Sequence, residues 1–174
     1  MLYMDLLGGD IDTALEVLRD LGLEPVLLQR RKPWQLSAGQ LKAYTTAAAL
    51  ASKTSNVLLD EPFEQLDPAR KLRMLRRLRS YQGTLVLSTH ETWVLNQLRD
   101  WSVYIMFSGR LYGPVEASRL AKARIVAGRR ADALLVVETG EGSVSFVESG
   151  EGRPVSEILT LDRVYELFAG SAAS

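Results

Sequence analysis

The chain has no cysteine and a single histidine. The first absence rules out disulfides and thiolate metal sites and suits a reducing compartment; the second rules out a multi-histidine metal centre. No apolar run approaches the roughly 20 residues that a spanning helix needs. Met1 to Leu7 is short and already carries Asp5, so it does not read as a secretory signal core. Neither sign of charge is in excess, with 21 basic and 21 acidic residues, which argues against nucleic acid as the main partner. The expectation is a soluble protein that reaches a membrane only through a partner. A length of 174 residues allows one domain with a real core and a small appendage.

The pattern along the chain alternates. Ile11, Leu15, Leu18 and Leu21 recur at three- and four-residue intervals and predict an amphipathic helix over 11–21, stopped at Gly22. Residues 33–40 read as a loop opened by Pro33. Ser37 and Gln40 make the Ser-x-x-Gln pattern of a capping box before an alanine-rich helix over 41–52. A strand is expected at Asn56–Leu59, then a loop with Pro62 and Pro68, then a basic helix over 69–80. That helix carries Arg70, Lys71, Arg73, Arg76, Arg77 and Arg79 around Leu72, Leu75 and Leu78. With no aromatics between the cations to stack bases, it reads as a solvated face paired with acids elsewhere.

Strand Thr84–Ser88, a helix near 92–99 and strand Ser102–Phe107 follow, closed by a glycine turn at Ser108-Gly109-Arg110. Strand-then-helix repetition predicts an α/β fold with a parallel sheet covered by helices. Residues 119–131 read as a basic, mostly helical connector. Ala133–Glu138 and Val144–Glu148 read as strands joined through Gly140 and Gly142, and 155–168 as a final helix.

Two stretches carry chemistry. In 56–68, an apolar strand delivers the adjacent carboxylates Asp60 and Glu61 into a proline-bounded turn. Such a pair can hold a phosphate-bound magnesium and orient an attacking water; taken alone it reads equally well as a buried strand ending in solvated acids. In 36–40, Leu-Ser-Ala-Gly-Gln starts a helix whose free N–H groups and dipole suit a phosphate; the plain alternative is a cap and nothing more.

Taken in order, Leu36-Ser-Ala-Gly-Gln40, Asp60-Glu61, Leu66-Asp67 and Leu87-Ser-Thr-His90 resemble the ATP-binding subunits of ABC transporters. They match that family's signature motif, Walker B motif, D-loop and switch histidine. The resemblance implies a P-loop NTPase-like (RecA-like, ABC-type) fold. It divides the chain into a partial nucleotide-binding domain over 1–118 and a C-terminal extension over 119–174. Within the first, 1–52 is helical subdomain with the signature and 53–118 runs from Walker B to the closing strands. Residues 161–170 also resemble, weakly, the C-terminal extension of exporter-type subunits.

By the same resemblance the cofactors are ATP and Mg²⁺, with the nucleotide held between two head-to-tail subunits. Asp60 would act on the magnesium, and Glu61 would be the general base or water-positioning carboxylate. His90 would contact the γ-phosphate; by itself it reads as a satisfied histidine at a strand end. Ser37, Gly39 and Gln40 would reach the phosphates of a nucleotide held by the second nucleotide-binding subunit, and Asp67 would couple the two sites. A membrane-spanning transporter subunit would be the other partner, and the location cytoplasmic and peripheral.

Departures from the family pattern matter. Lys32, Lys42, Lys53, Lys71 and Lys122 each follow a residue other than glycine, so the Walker A loop Gly-x-x-x-x-Gly-Lys-Ser/Thr is absent. Gln29 and Gln35 lie too close to the signature to be the Q-loop. Ala38 stands where the first signature glycine is usual, which is tolerated where the backbone is extended or helical. Leu41 to Ala48 lacks the arginines that often follow, having Tyr44-Thr45-Thr46 instead. The chain is therefore expected to be the C-terminal portion of a nucleotide-binding domain, inactive alone, and either a homo-oligomer or a fragment needing its N-terminal half. The alternative is a non-catalytic module presenting its signature to a complete partner.

Overall fold

Asp10 starts the first helix of the computed structural model, which describes residues 5, 6, 8–140 and 142–158. Its carboxylate accepts the Asp12 N–H at 3.1 Å, one of the donors that a helix start leaves open, and the Thr13 hydroxyl at 2.6 Å. Helix α1 (Ile11–Asp20) buries Ala14, Val17 and Leu18, and the chain leaves it through Gly22 at φ +73, as expected. Helix α2 (Pro25–Arg30) and a 3-10 turn (Pro33–Gln35) lead to α3 (Ala38–Leu50). The helix expected over 41–52 thus begins at Ala38, because the cap at Ser37 makes its next residue the first helical one.

Strands β1 (Asn56–Asp60) and β2 (Thr84–Ser88) pair in parallel, in register from Asn56↔Thr84 to Asp60↔Ser88. Parallel strands need a crossover, and α4 (Pro68–Arg79) supplies it, burying Met74, Leu75 and Leu78. The expected pairing of its basic face is met in part: Arg77 reaches Glu16 and Asp20 on α1, and Arg70 pairs with Asp67 at the helix's own start. Val57 is buried, whereas the register partners Leu58 and Val86 are 78% and 56% exposed. Among the described residues β1 and β2 pair only with each other. These elements make the first of two units, which divide between Thr89 and His90.

The second unit opens with α5 (Trp93–Gln97). Strands β3 (Ser102–Phe107) and β4 (Arg110–Glu116) form the expected hairpin, turning through Ser108 and Gly109 at φ +45 and +74. β3 is apolar enough for a central strand, yet among the described residues β4 is its one partner. After the short α6 (Ala117–Leu120), strands β5 (Arg124–Ala127), β6 (Leu135–Thr139), β7 (Gly142–Val147) and β8 (Arg153–Pro154) form an antiparallel sheet. Its order is β6-β7-β5-β8. Val115, Leu120, Ile125, Val137, Val144 and Phe146 share its core.

The helical connector expected over 119–131 is corrected here. Only Ala117–Leu120 is helical; Ile125 is buried and Arg124–Ala127 pairs with β7 and β8. The hairpin expected over 133–148 is present as β6 and β7. Of the final helix expected over 155–168, Val155–Glu157 forms a 3-10 turn. The remainder, with the resemblance over 161–170, lies outside the described residues.

Candidate functional site

The start of α3 is built as its sequence demands. Ser37 Oγ accepts the Gln40 N–H at 3.3 Å, and Gln40 Oε1 accepts the Ser37 N–H at 3.0 Å, a reciprocal capping box. The cap leaves the Ser37 hydroxyl hydrogen and the Gln40 NH₂ as uncommitted donors. Ala38 is helical, so alanine in place of glycine carries no left-handed strain there.

Gly39 is buried, and a Cβ added to it would stand 2.8 Å from the Gln65 carbonyl oxygen and 3.8 Å from Leu66 Cδ2. The beginning of α3 therefore rests against the turn before Asp67. About one turn along, Lys42 Nζ donates to the Asp60 carbonyl at 2.9 Å. One helix thus meets both ends of the 60–67 segment. Ser37, Gly39, Gln40, Asp60, Glu61 and Asp67 all belong to this first unit.

Between those ends the chain makes a tight turn anchored by buried Pro62, Phe63 and Leu66. Glu61 enters it at φ +45 and Gln65 leaves at φ +59. A left-handed conformation costs a non-glycine residue about 1–2 kcal/mol, and such strain is concentrated at functional positions. Ser88 supports it from the neighbouring strand: its carbonyl accepts the Glu61 N–H at 3.1 Å, and its hydroxyl donates to Asp60 Oδ1 at 2.5 Å. Ser88 and Lys42 are contacts that motif reading missed. The parallel register that sets Ser88 beside Asp60 is the signal that would have found the first.

Asp67 ends the turn as the N-cap of α4, accepting the Arg70 N–H at 2.9 Å. That bond, with the nearby Arg70 charge, holds its carboxyl below the usual range against some desolvation. His90 is half-buried and opens the second unit.

The magnesium expectation meets a simple donor set. Among the described residues no group of three or more His, Cys, Asp and Glu side chains converges. Asp60 offers one hard carboxylate oxygen. One carboxylate fits magnesium held chiefly by phosphate oxygens and water, the usual arrangement in nucleotide enzymes, and not a cage made by the protein alone.

A solved structure described as a cobalt transport ATP-binding protein, cbiO-2, matches 95% of this chain and 63% of its own at TM-score 0.88 and 39% identity. Energy-coupling factor transporter ATP-binding protein EcfA2 of Streptococcus pneumoniae is 35% identical over 106 residues, 58% of this chain and 37% of its own. The homologues of this chain are ABC transporter ATP-binding proteins.

Another ABC relative, EcfA of Methanocaldococcus jannaschii, is 30% identical over 122 residues, 63% of this chain and 43% of its own. The chain therefore spans about two fifths of the length of these curated ABC relatives. No family model matches it. The α/β fold is that of ABC ATPase domains. No helix among the described residues is long and apolar enough to cross a membrane.

Proposed function

We propose that the chain supplies the signature and Walker B elements of an ATP-binding subunit that energises an ABC transporter. The observation that carries this reading is the joining of α3's capped start to the Asp60–Asp67 turn. Two motifs distant in sequence are fixed as one surface by the Gly39–Gln65 approach and the Lys42–Asp60 bond.

In this reading ATP with Mg²⁺ supplies the scissile phosphoanhydride, and the residues act around it. Asp60 would hold the magnesium through its carboxylate. Glu61, fixed by its left-handed backbone, orients the attacking water and takes its proton. His90 contacts the γ-phosphate. Ser37 hydroxyl, the backbone N–H groups near Gly39 and the Gln40 amide donate to phosphates of a nucleotide held by a second nucleotide-binding subunit. Asp67, as a helix cap, fixes the turn that links the two sites. The other partner is a membrane-spanning subunit, which places the protein at the cytoplasmic face; relatives named for energy-coupling factor and thiamine import favour uptake.

A second reading rests on the missing Walker A lysine. A module without it can present its signature to a complete partner and hydrolyse nothing itself. Positioning and charge stabilisation make up nearly all of phosphoryl-transfer catalysis, so the purified chain alone should show no ATP turnover in either reading. Steady turnover that Glu61→Gln abolishes would overturn both. The two readings separate when a P-loop-bearing partner is added: the first requires Glu61-dependent turnover, the second turnover indifferent to Glu61→Gln.

A further inference from the structure

Thr92 stands at the N-cap of α5, two residues after His90. A threonine there ordinarily turns its hydroxyl oxygen to the first N–H groups of its own helix. Here it makes no such bond. The buried hydroxyl instead donates to the main-chain carbonyl of Ile158, 66 residues along the chain. The acceptor is itself firmly held. The Ile158 N–H donates to the Val155 carbonyl at 3.0 Å, and the Val155 N–H to the carbonyl of Ala123, just before β5, at 2.9 Å. Val155 and Ile158 are buried in the core of the β5–β8 sheet, and α5 meets that core a second time through Leu95.

The link from Thr92 back to His90 is short and stiff. The Thr92 carbonyl accepts the Leu95 N–H at 3.1 Å, and the Glu91 carbonyl accepts the Val94 N–H at 3.4 Å. The Trp93 indole N–H donates to the Glu91 carboxylate. Residues 91–95 therefore form one braced turn, and two planar peptide units carry its position to His90. We propose that Thr92 is a positioning residue for His90, its bond to Ile158 fastening the His90 segment to the C-terminal sheet. The catalytic consequence rests on the reading of His90 as a γ-phosphate contact. A group that must meet a phosphate has to be held to about 0.5 Å, by packing and hydrogen bonds behind it. A buried hydroxyl on a buried carbonyl suits that task, because neither has water to take in place of its partner. The β5–β8 sheet, which carries none of the candidate site residues, thereby sets the place of one.

His90 is the only histidine, so its imidazole gives one isolated set of NMR signals in the full chain. Relaxation dispersion of those signals reports exchange on the μs–ms timescale, which a changed neighbouring side chain does not by itself create. Wild type and Thr92→Ser, which keeps the hydroxyl, should show little exchange at His90. Thr92→Val, which keeps the shape and loses the hydroxyl, should show much. Val155→Ala loosens the anchor from its far side and should do the same. Val144→Ala lies in the same core but outside the anchoring turn; it controls for lost stability and should leave His90 quiet. With a P-loop-bearing partner added, Thr92→Val should lower kcat about tenfold while KM holds, and Thr92→Ser should restore it. Exchange at His90 indifferent to Thr92→Val and Val155→Ala, or equally raised by Val144→Ala, would overturn the proposal. So would a kcat unmoved by Thr92→Val where His90→Ala abolishes turnover. Exchange that follows the bond, with turnover untouched by His90→Ala, would uphold the positioning and overturn the γ-phosphate reading instead. Should Thr92→Val not fold, Val155→Ala against Val144→Ala decides.

Discussion

Ser88 and Asp60 end two parallel strands side by side, and the Ser88 hydroxyl donates to the Asp60 carboxylate across them. The Ser88 carbonyl takes the N–H of the next residue, Glu61, so one serine steadies both adjacent acids. Ser88→Ala keeps the carbonyl and deletes the hydroxyl. It should lower stability by about 1 kcal/mol in urea unfolding, the usual net worth of one hydrogen bond. An unchanged midpoint would mean that the hydroxyl is equally well served by water.

Gly39→Ala gives a prediction whose sign is diagnostic. In a helix that only needed propensity, alanine would stabilise by about 1 kcal/mol. Here the new Cβ meets a backbone carbonyl at 2.8 Å, and overpacking of this kind costs about 1–3 kcal/mol. Thermal unfolding should therefore show a net loss. A rise in Tm would show that α3 does not rest on the Gln65 turn.

Asp10 and Asp67 cap α1 and α4, and both carboxyls are held below the ordinary range, Asp10 first by the Thr13 hydroxyl and Asp67 first by the Arg70 N–H. A folded value below the unfolded one stabilises above the unfolded pKa, and the gain is lost as pH falls through the folded value. Stability should thus decline on the acid side of the usual carboxylate range. Asn caps helices as well as Asp does, so Asp67→Asn should keep neutral-pH stability and flatten part of that acid decline. An unaltered pH profile would rule out Asp67 as a contributor.

Leu58 and Val86 are cross-strand partners on an exposed face. Adjacent apolar side chains left in water favour association, and open strand edges do the same. The pair Leu58→Lys and Val86→Lys should leave the unfolding midpoint within about 0.5 kcal/mol of wild type. It should also reduce self-association measured by sedimentation. A large loss of stability would show that this face is packed after all.

Much of the site was legible because it is local. Ser37 and Gln40 sit three apart and cap each other, and Asp67 precedes a proline-opened helix; sequence spacing decides both. What stayed hidden depends on pairing between distant segments. Ser88 matters only because β2 lies in register with β1, and Gly39 only because Gln65 approaches it. The basic run over 119–131 suggested a helix, but Ile125 finds its burial against β7, and that contact lies in no local pattern.

The central claim, that Asp60–Glu61 and the 36–40 cap serve ATP hydrolysis once a P-loop is present, has a direct test. An N-terminal segment carrying a Walker A loop, taken from an ABC transporter ATP-binding protein, is joined ahead of the chain, and ATP turnover is measured with and without Glu61→Gln. The account predicts no turnover by the chain alone and turnover by the chimera. Glu61→Gln should cut that turnover by about 100-fold or more while nucleotide still binds. A folded, nucleotide-binding chimera whose turnover ignores Glu61→Gln would contradict it.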